Sequence, residues 1–158
     1  MLFRSPCPRR INRLLARTDF KFSTCVRVRY AEIDAQAVVF NSRYLEYADV
    51  AVTEYWRAAG FHATGAAWQA LEFHIARALI EYKAPIRYDE ELDLYARTTR
   101  VGRSSLTTMI EIHGHALRHE DDLRATIEIV NVNVDLTSGQ SCRLPQWVGE
   151  ALTRFDTA

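Results

Sequence analysis

No run of apolar residues in this 158-residue chain approaches the roughly 18 needed to cross a bilayer as a helix. Nor is there an excess of either charge. Lys+Arg and Asp+Glu number 20 each, so no net field draws the chain to nucleic acid or anionic lipid, and no DNA-binding segment stands out. Cys7, Cys25 and Cys142 are few, odd in number and widely spaced. They make neither a disulfide framework nor a paired metal-ligand motif, and they fit a reducing cytosol, so the expected compartment is the cytoplasm. A Gly-x-Ser-x-Gly elbow and a glycine-rich phosphate loop are both missing. What remains is 48% hydrophobic and 25% charged, with the length of one domain that can bury a sizeable core.

The first twenty residues differ from the rest. "MLFRSPCPRRINRLLARTDF" carries five arginines and no acid before Asp19. A transit peptide is similarly acid-poor and Arg-rich but should hold more serine than Ser5 alone. The expectation is a loosely tied basic extension over residues 1–20 on a single domain spanning 21–158.

Within that domain, Phe22, Val26, Val28 and Tyr30 alternate with polar residues as in a strand. Residues 42–59 then read as the longest element, a helix with Leu45, Ala48, Val52, Tyr55, Trp56 and Ala59 at three- and four-residue spacing. Asn41 is its expected N-cap and Gly60 its C-terminal cap. "GAAWQALE" offers a further helical turn. Strand patterns follow over 73–88, 91–101, 104–117 and 123–136, with short separators at 89–91, 102–103 and 119–122 that demand antiparallel neighbours. Pro85 cannot donate to a ladder and marks an edge or a bulge. In the last strand, Val130, Val132, Val134 and Leu136 form one apolar face, with Ile127 and Ile129 on the other. That implies burial on both sides and a central place under the helix. "TSGQS" is a turn, and "PQWVGEAL" a closing helix from Pro145. The class is α+β: one long helix wrapped by an antiparallel sheet of five to six strands, whose open edges invite a second copy.

Ahead of the helix stands "EIDAQAVVFNSRYLEY", residues 32–47. With Asn41 and Ser42 available as caps, Asp34 is left unused near the positive end of a helix dipole. A carbonyl placed there would meet a carboxylate at its carbon and an N–H at its oxygen, as acyl transfer requires. The segment from Asp34 through Ala37, Val38, Val39 and Phe40 to Tyr44, followed by "NSRYLEY", resembles the hotdog-fold acyl-CoA thioesterases of the 4-hydroxybenzoyl-CoA thioesterase type. The resemblance covers roughly residues 22–150 and favours the branch acting on fatty acyl-CoAs.

The resemblance implies a hotdog fold that hydrolyses acyl-CoA to free acid and CoA without cofactor or metal. Asp34 would be the nucleophile or general base, and the Tyr44 backbone N–H would polarise the thioester carbonyl. Asn41 stands where members acting on small acyl groups often carry histidine. In "VGRSS", Arg103 and Ser105 match a turn that contacts CoA phosphates, whereas Gly102 and Ser104 replace basic residues. Ala37 replaces the usual glycine, so the loop must avoid positive φ there or bear modest strain. A homodimer or homotetramer is implied, with each site at a subunit boundary. The alternative from another class is a non-catalytic module binding acyl-CoA or an acyl carrier, which has no need of Asp34.

Two further expectations concern chemistry and substrate. "EIHGH" sets Glu111, His113 and His115 on one strand face, and the reading is a polar solvent face rather than a metal site. Ala48, Ala51, Val52 and Tyr55 are expected to line the acyl channel. With no charged partner evident in the helix, this favours medium to long fatty acyl groups.

Overall fold

The alternation over residues 91–101 becomes a strand with Leu92, Leu94 and Ala96 wholly buried beneath the helix and Glu91, Asp93, Tyr95 and Arg97 on the opposite face. In the computed structural model the described residues are 17–61, 65, 69, 71–115 and 122–157. The strands are β1 (Phe22–Arg27), β2 (Phe73–Tyr82), β3 (Glu91–Val101), β4 (Ser105–Gly114), β5 (Leu123–Asp135) and β6 (Gln140–Ser141). Two α-helices accompany them, α1 (Arg43–Ala58) and α2 (Gln146–Thr157). The main sheet is antiparallel in the order β1-β3-β4-β5-β2, with β6 paired to the end of β5.

Helix α1 differs from the expected 42–59 by one residue at each end. Its buried face is Tyr44, Tyr47, Ala48, Ala51, Val52, Tyr55 and Trp56, a repeat of three and four that packs on β1, β3 and β4. The small Ala48 and Ala51, each with no exposed surface, let the backbone lie close on the sheet. At the C-terminus Phe61 N–H donates to Trp56 O and Gly60 N–H to Arg57 O, around Gly60 at φ +97. This is the Schellman closure, and the left-handed position explains the glycine. The N-terminus departs from expectation. Ser42 is the N-cap residue and makes no side-chain cap bond, while the Asn41 carbonyl accepts the Tyr82 hydroxyl.

Three strand expectations change. β2 and β3 are not neighbours despite the short link, because β4 and β5 stand between them. Residues 83–90 cross the end of the sheet instead. Arg124 pins the crossing: its carbonyl accepts Lys83 and Ala84 N–H, and its guanidinium meets the Pro85 carbonyl and Glu90. Secondly, β2 ends before Pro85, and its irregularity lies between Ile75 and Arg77. Lastly, the central strand is β4. In β5, Ala125, Ile127 and Ile129 are buried as part of the core, Asn131 and Asn133 are buried as well, and Val130, Val132 and Val134 are only half-buried.

The outer face of the sheet is covered where solvent was expected. Glu111 and His113 are buried and hydrogen-bonded at 2.9 Å, and Arg17 donates to the other His113 ring nitrogen at 3.3 Å. Arg17 also lies over the Tyr95 ring, against which Phe20 tilts. The packed part of the chain thus includes Arg17 and Phe20, ahead of the boundary expected at residue 21. Residues 1–16 and most of "GAAWQALE" lie outside the described residues. Among those described, no helix is long and apolar enough to cross a membrane.

Candidate active site

Residues 33–39 form a miniature hairpin, because Ile33 and Val39 bridge across it. Asp34 opens its turn. One carboxylate oxygen, Oδ1, accepts the Gln36 N–H at 2.8 Å and the Val38 N–H at 3.4 Å, while Asp34 N–H donates to Val38 O and Ala37 N–H to Asp34 O. This is an Asx turn, the local use to which a short acid is suited. Among the described residues no donor meets Oδ2. Ala37 takes φ +59, so the loop reaches the glycine-like conformation with an alanine and bears the strain of it.

Two anchors carry the hairpin into α1. Val39 N–H donates to Ile86 O and Phe40 N–H to Glu32 O, after which Arg43 N–H donates to Phe40 O. The second anchor is Glu32, which the sequence reading passed over. Its carboxylate, buried under the loop, accepts the Arg29 N–H and the Tyr47 hydroxyl at 2.7 Å each, and pairs with the Arg29 guanidinium. Burial pushes this carboxyl up, but the hydrogen bonds from Arg29 and Tyr47 outweigh it and hold the pKa below the usual carboxylate value. Burial, reinforced by Glu32, raises the Tyr47 hydroxyl far above its ordinary range. An acid one step before an apolar hairpin, 15 residues ahead of a helix tyrosine, is the only trace of this clamp in the sequence.

Tyr44 lies in the first turn of α1, where N–H groups lack intrahelical acceptors. Its ring is buried and meets Tyr82 edge-on at 4.9 Å. Asp34, Asn41 and Tyr44 therefore belong to one hairpin–helix unit beside the Tyr82 end of β2.

Arg103 and Ser105 are at the other end. They occupy the β3–β4 turn, where Gly102 N–H donates to Ser105 O at 2.7 Å. Arg103 lines a hollow of about 240 Å³ with Arg143, Pro145 and Gln146 at the start of α2. Leu106, one residue beyond Ser105, lies in one apolar cluster with Trp56 and Phe73, near the C-terminal end of α1. From Tyr44 to Trp56 the helix rises roughly 18 Å at about 1.5 Å per residue. Within one chain the proposed nucleotide contact is therefore not brought to the acid.

A groove of about 250 Å³ runs between α1 and the strands β5 and β2. Leu45, Val52, Trp56, Phe73, Ile75, Ala78 and Ile129 wall it, with Asp49, Thr53 and Asn131 as its polar members. The groove shares only Val52 with the helix face expected to line an acyl channel. Ala48, Ala51 and Tyr55 are spent on core packing, and the groove uses residues one step around the helix, including the acid Asp49.

A curled antiparallel sheet around one long helix, with an acid-bearing turn ahead of that helix, defines a hotdog-type thioesterase. The sequence pattern of the Thioesterase-like superfamily matches residues 28–152. The chain belongs to that family, which includes an acyl-CoA thioester hydrolase among its relatives. Among its relatives is a putative esterase of Aquifex aeolicus, 32% identical over 81 residues, or 51% of this chain and 63% of the esterase. The acyl-CoA thioester hydrolase YbgC of Escherichia coli is 28% identical over 121 residues, covering 77% of this chain and 87% of that protein. A thioesterase from Thermus thermophilus, solved with coenzyme A and zinc, superposes with a TM-score of 0.73 at 24% identity, over 89% of this chain and 98% of that one.

Proposed function

We propose that this protein hydrolyses acyl-CoA to the free acid and CoA, using the Asp34 carboxylate and the Tyr44 backbone N–H. The observation that carries the reading is the state of Asp34. Its Oδ1 is held by two turn N–H groups, which fixes the orientation of the carboxylate and leaves Oδ2 for reaction. In the reaction, Asp34 either attacks the thioester carbon to form a mixed anhydride that water then opens to the free acid, or takes a proton from water attacking that carbon. The developing oxyanion meets the Tyr44 N–H at the positive end of α1, and the CoA thiolate departs. The setting is cytoplasmic, in keeping with the free thiols of Cys25 and Cys142.

The active form is a homodimer joined through β2. That strand is a sheet edge ten residues long with Ile75 58%, Leu79 37% and Tyr82 52% exposed. Unpaired edges of this length invite another strand. Antiparallel pairing across a two-fold sets the Tyr82 end of one copy beside the Phe73 end of the other. Each Asp34 then faces the partner's hollow lined by Arg103, with Ser105 in the same turn, which supplies the CoA phosphate contact missing within one chain. The apolar wall of the groove supports a medium to long fatty acyl group, each buried methylene contributing about 0.8 kcal/mol.

The deciding experiment is thiol release from a panel of saturated acyl-CoAs by the wild type and by Asp34→Asn. Asparagine keeps an oxygen for the Asx turn and removes the charge. Turnover should fall by about 10²–10⁴-fold with the circular dichroism and Tm unchanged. Near-normal turnover in the variant would remove Asp34 from the chemistry. Binding of acyl-CoA by the wild type with no turnover at any chain length would instead favour a carrier or sensing module.

A further inference from the structure

The geometry points to a zinc-type cation site formed by Cys25, Asp93 and His115 on the outer face of the sheet. None of these residues has a part in the proposed hydrolysis. Cys25 in β1 is directly opposite Asp93 in β3, so both side chains leave the same face of the sheet. His115 follows β4, and its N–H is tied to Glu91 O at 2.8 Å. Its ring Nδ1 meets Asp93 Oδ1 at 2.7 Å. The sulfur, a carboxylate oxygen and a ring nitrogen all lie within 4.8 Å of one another.

The donor set is specific. Thiolate, imidazole and carboxylate are the three ligand types zinc accepts, with bonds of about 2.0–2.3 Å. A hard ion such as magnesium or calcium would not choose a sulfur. Tetrahedral angles at those lengths place neighbouring donors about 3.3–3.6 Å apart. β1 and β3 hold the Cys25 and Asp93 backbones in register and the His115 N–H is tied to Glu91 O, so closing on a cation calls for side-chain rotation. The cation takes the place of the hydrogen bond between His115 and Asp93 and leaves a fourth position open to water.

The surroundings suit a cation. Glu91 stands on the same face two residues from Asp93 and is paired with Arg27. The histidine most evident in the sequence is not available: His113 spends one ring nitrogen on Glu111 and the other on Arg17. Its neighbour His115 turns instead to residues 22 and 90 positions earlier in the chain.

The test is titration of metal-stripped protein with Co²⁺ alone, followed by Zn²⁺. One equivalent of Co²⁺ per chain should give tetrahedral d–d bands and a sulfur-to-cobalt charge-transfer band, both abolished by Zn²⁺. Cys25→Ser should remove the charge-transfer band. His115→Ala and Asp93→Asn should each weaken Zn²⁺ binding by on the order of tenfold or more. Cys25→Ala, read by circular dichroism, separates ligand loss from misfolding. No stoichiometric cobalt spectrum would overturn the site. So would a charge-transfer band that survives Cys25→Ser, or zinc affinity indifferent to His115→Ala.

Discussion

The Glu32 carboxylate accepts the Tyr47 hydroxyl at 2.7 Å across 15 residues, and this bond clamps the hairpin carrying Asp34 onto the second turn of α1. Tyr47→Phe removes a donor from a buried carboxylate, which should cost about 1–3 kcal/mol. At about 2–4 °C per kcal/mol for a chain of this size, differential scanning calorimetry will resolve the change. Tyr47 is not expected to touch the reacting atoms, so a loss of kcat in this variant would report displacement of Asp34.

The same clamp has a pH signature. The folded pKa of Glu32 lies below its ordinary value of 4.5. Its contribution is therefore complete above that value and is lost as pH falls through the lower, folded pKa. Glu32→Gln should be less stable than the wild type at neutral pH and should show a shallower decline below pH 4.5. Parallel acid-unfolding curves for the two proteins would contradict this.

Ala37 at φ +59 supports an unusual substitution. An L-residue in the left-handed region costs about 1–2 kcal/mol, and glycine avoids that while adding some unfolded-state entropy. Ala37→Gly should therefore leave Tm unchanged or raise it, where an ordinary Ala→Gly replacement lowers it. A clear drop in the denaturation midpoint would show that the strain is compensated elsewhere.

Groove and core lie on adjacent faces of α1 and can be separated by placing tryptophan on each. Thr53→Trp fills the groove, so the profile of kcat/KM against acyl length should shift to shorter chains with Tm nearly unchanged. Ala51→Trp, at a site with no exposed surface, should overpack the core and cost about 1–3 kcal/mol or more. An unaltered chain-length profile in Thr53→Trp would place the acyl group elsewhere.

A charge on β2 tests the shared site. Leu79→Lys, outside the groove, should give a monomer by light scattering, with the fold retained and turnover lost. Mixing inactive Asp34→Asn chains with Arg103→Ala chains should restore one complete site per mixed dimer. Activity no greater than the sum of the parents would show that each chain uses its own arginine.

Local sequence determined the elements. The repeat of three and four in residues 43–58 and the alternation in 91–101 yielded α1 and β3 almost to the residue, because backbone geometry alone dictates which side chains share a face. Gly60 was legible as a helix end for the same reason, since the left-handed position is local. Periodicity does not say what covers a face. Glu111 and His113 looked solvent-exposed until Arg17 packed over them, and a groove along α1 beside β2 is visible only once β2 takes the far edge of the sheet. Strand order, which brings Cys25 to Asp93 and separates Arg103 from Asp34, is a property of the whole packed sheet. It depends on how residues 83–90 cross the sheet end under Arg124, and only the tertiary structure decides that.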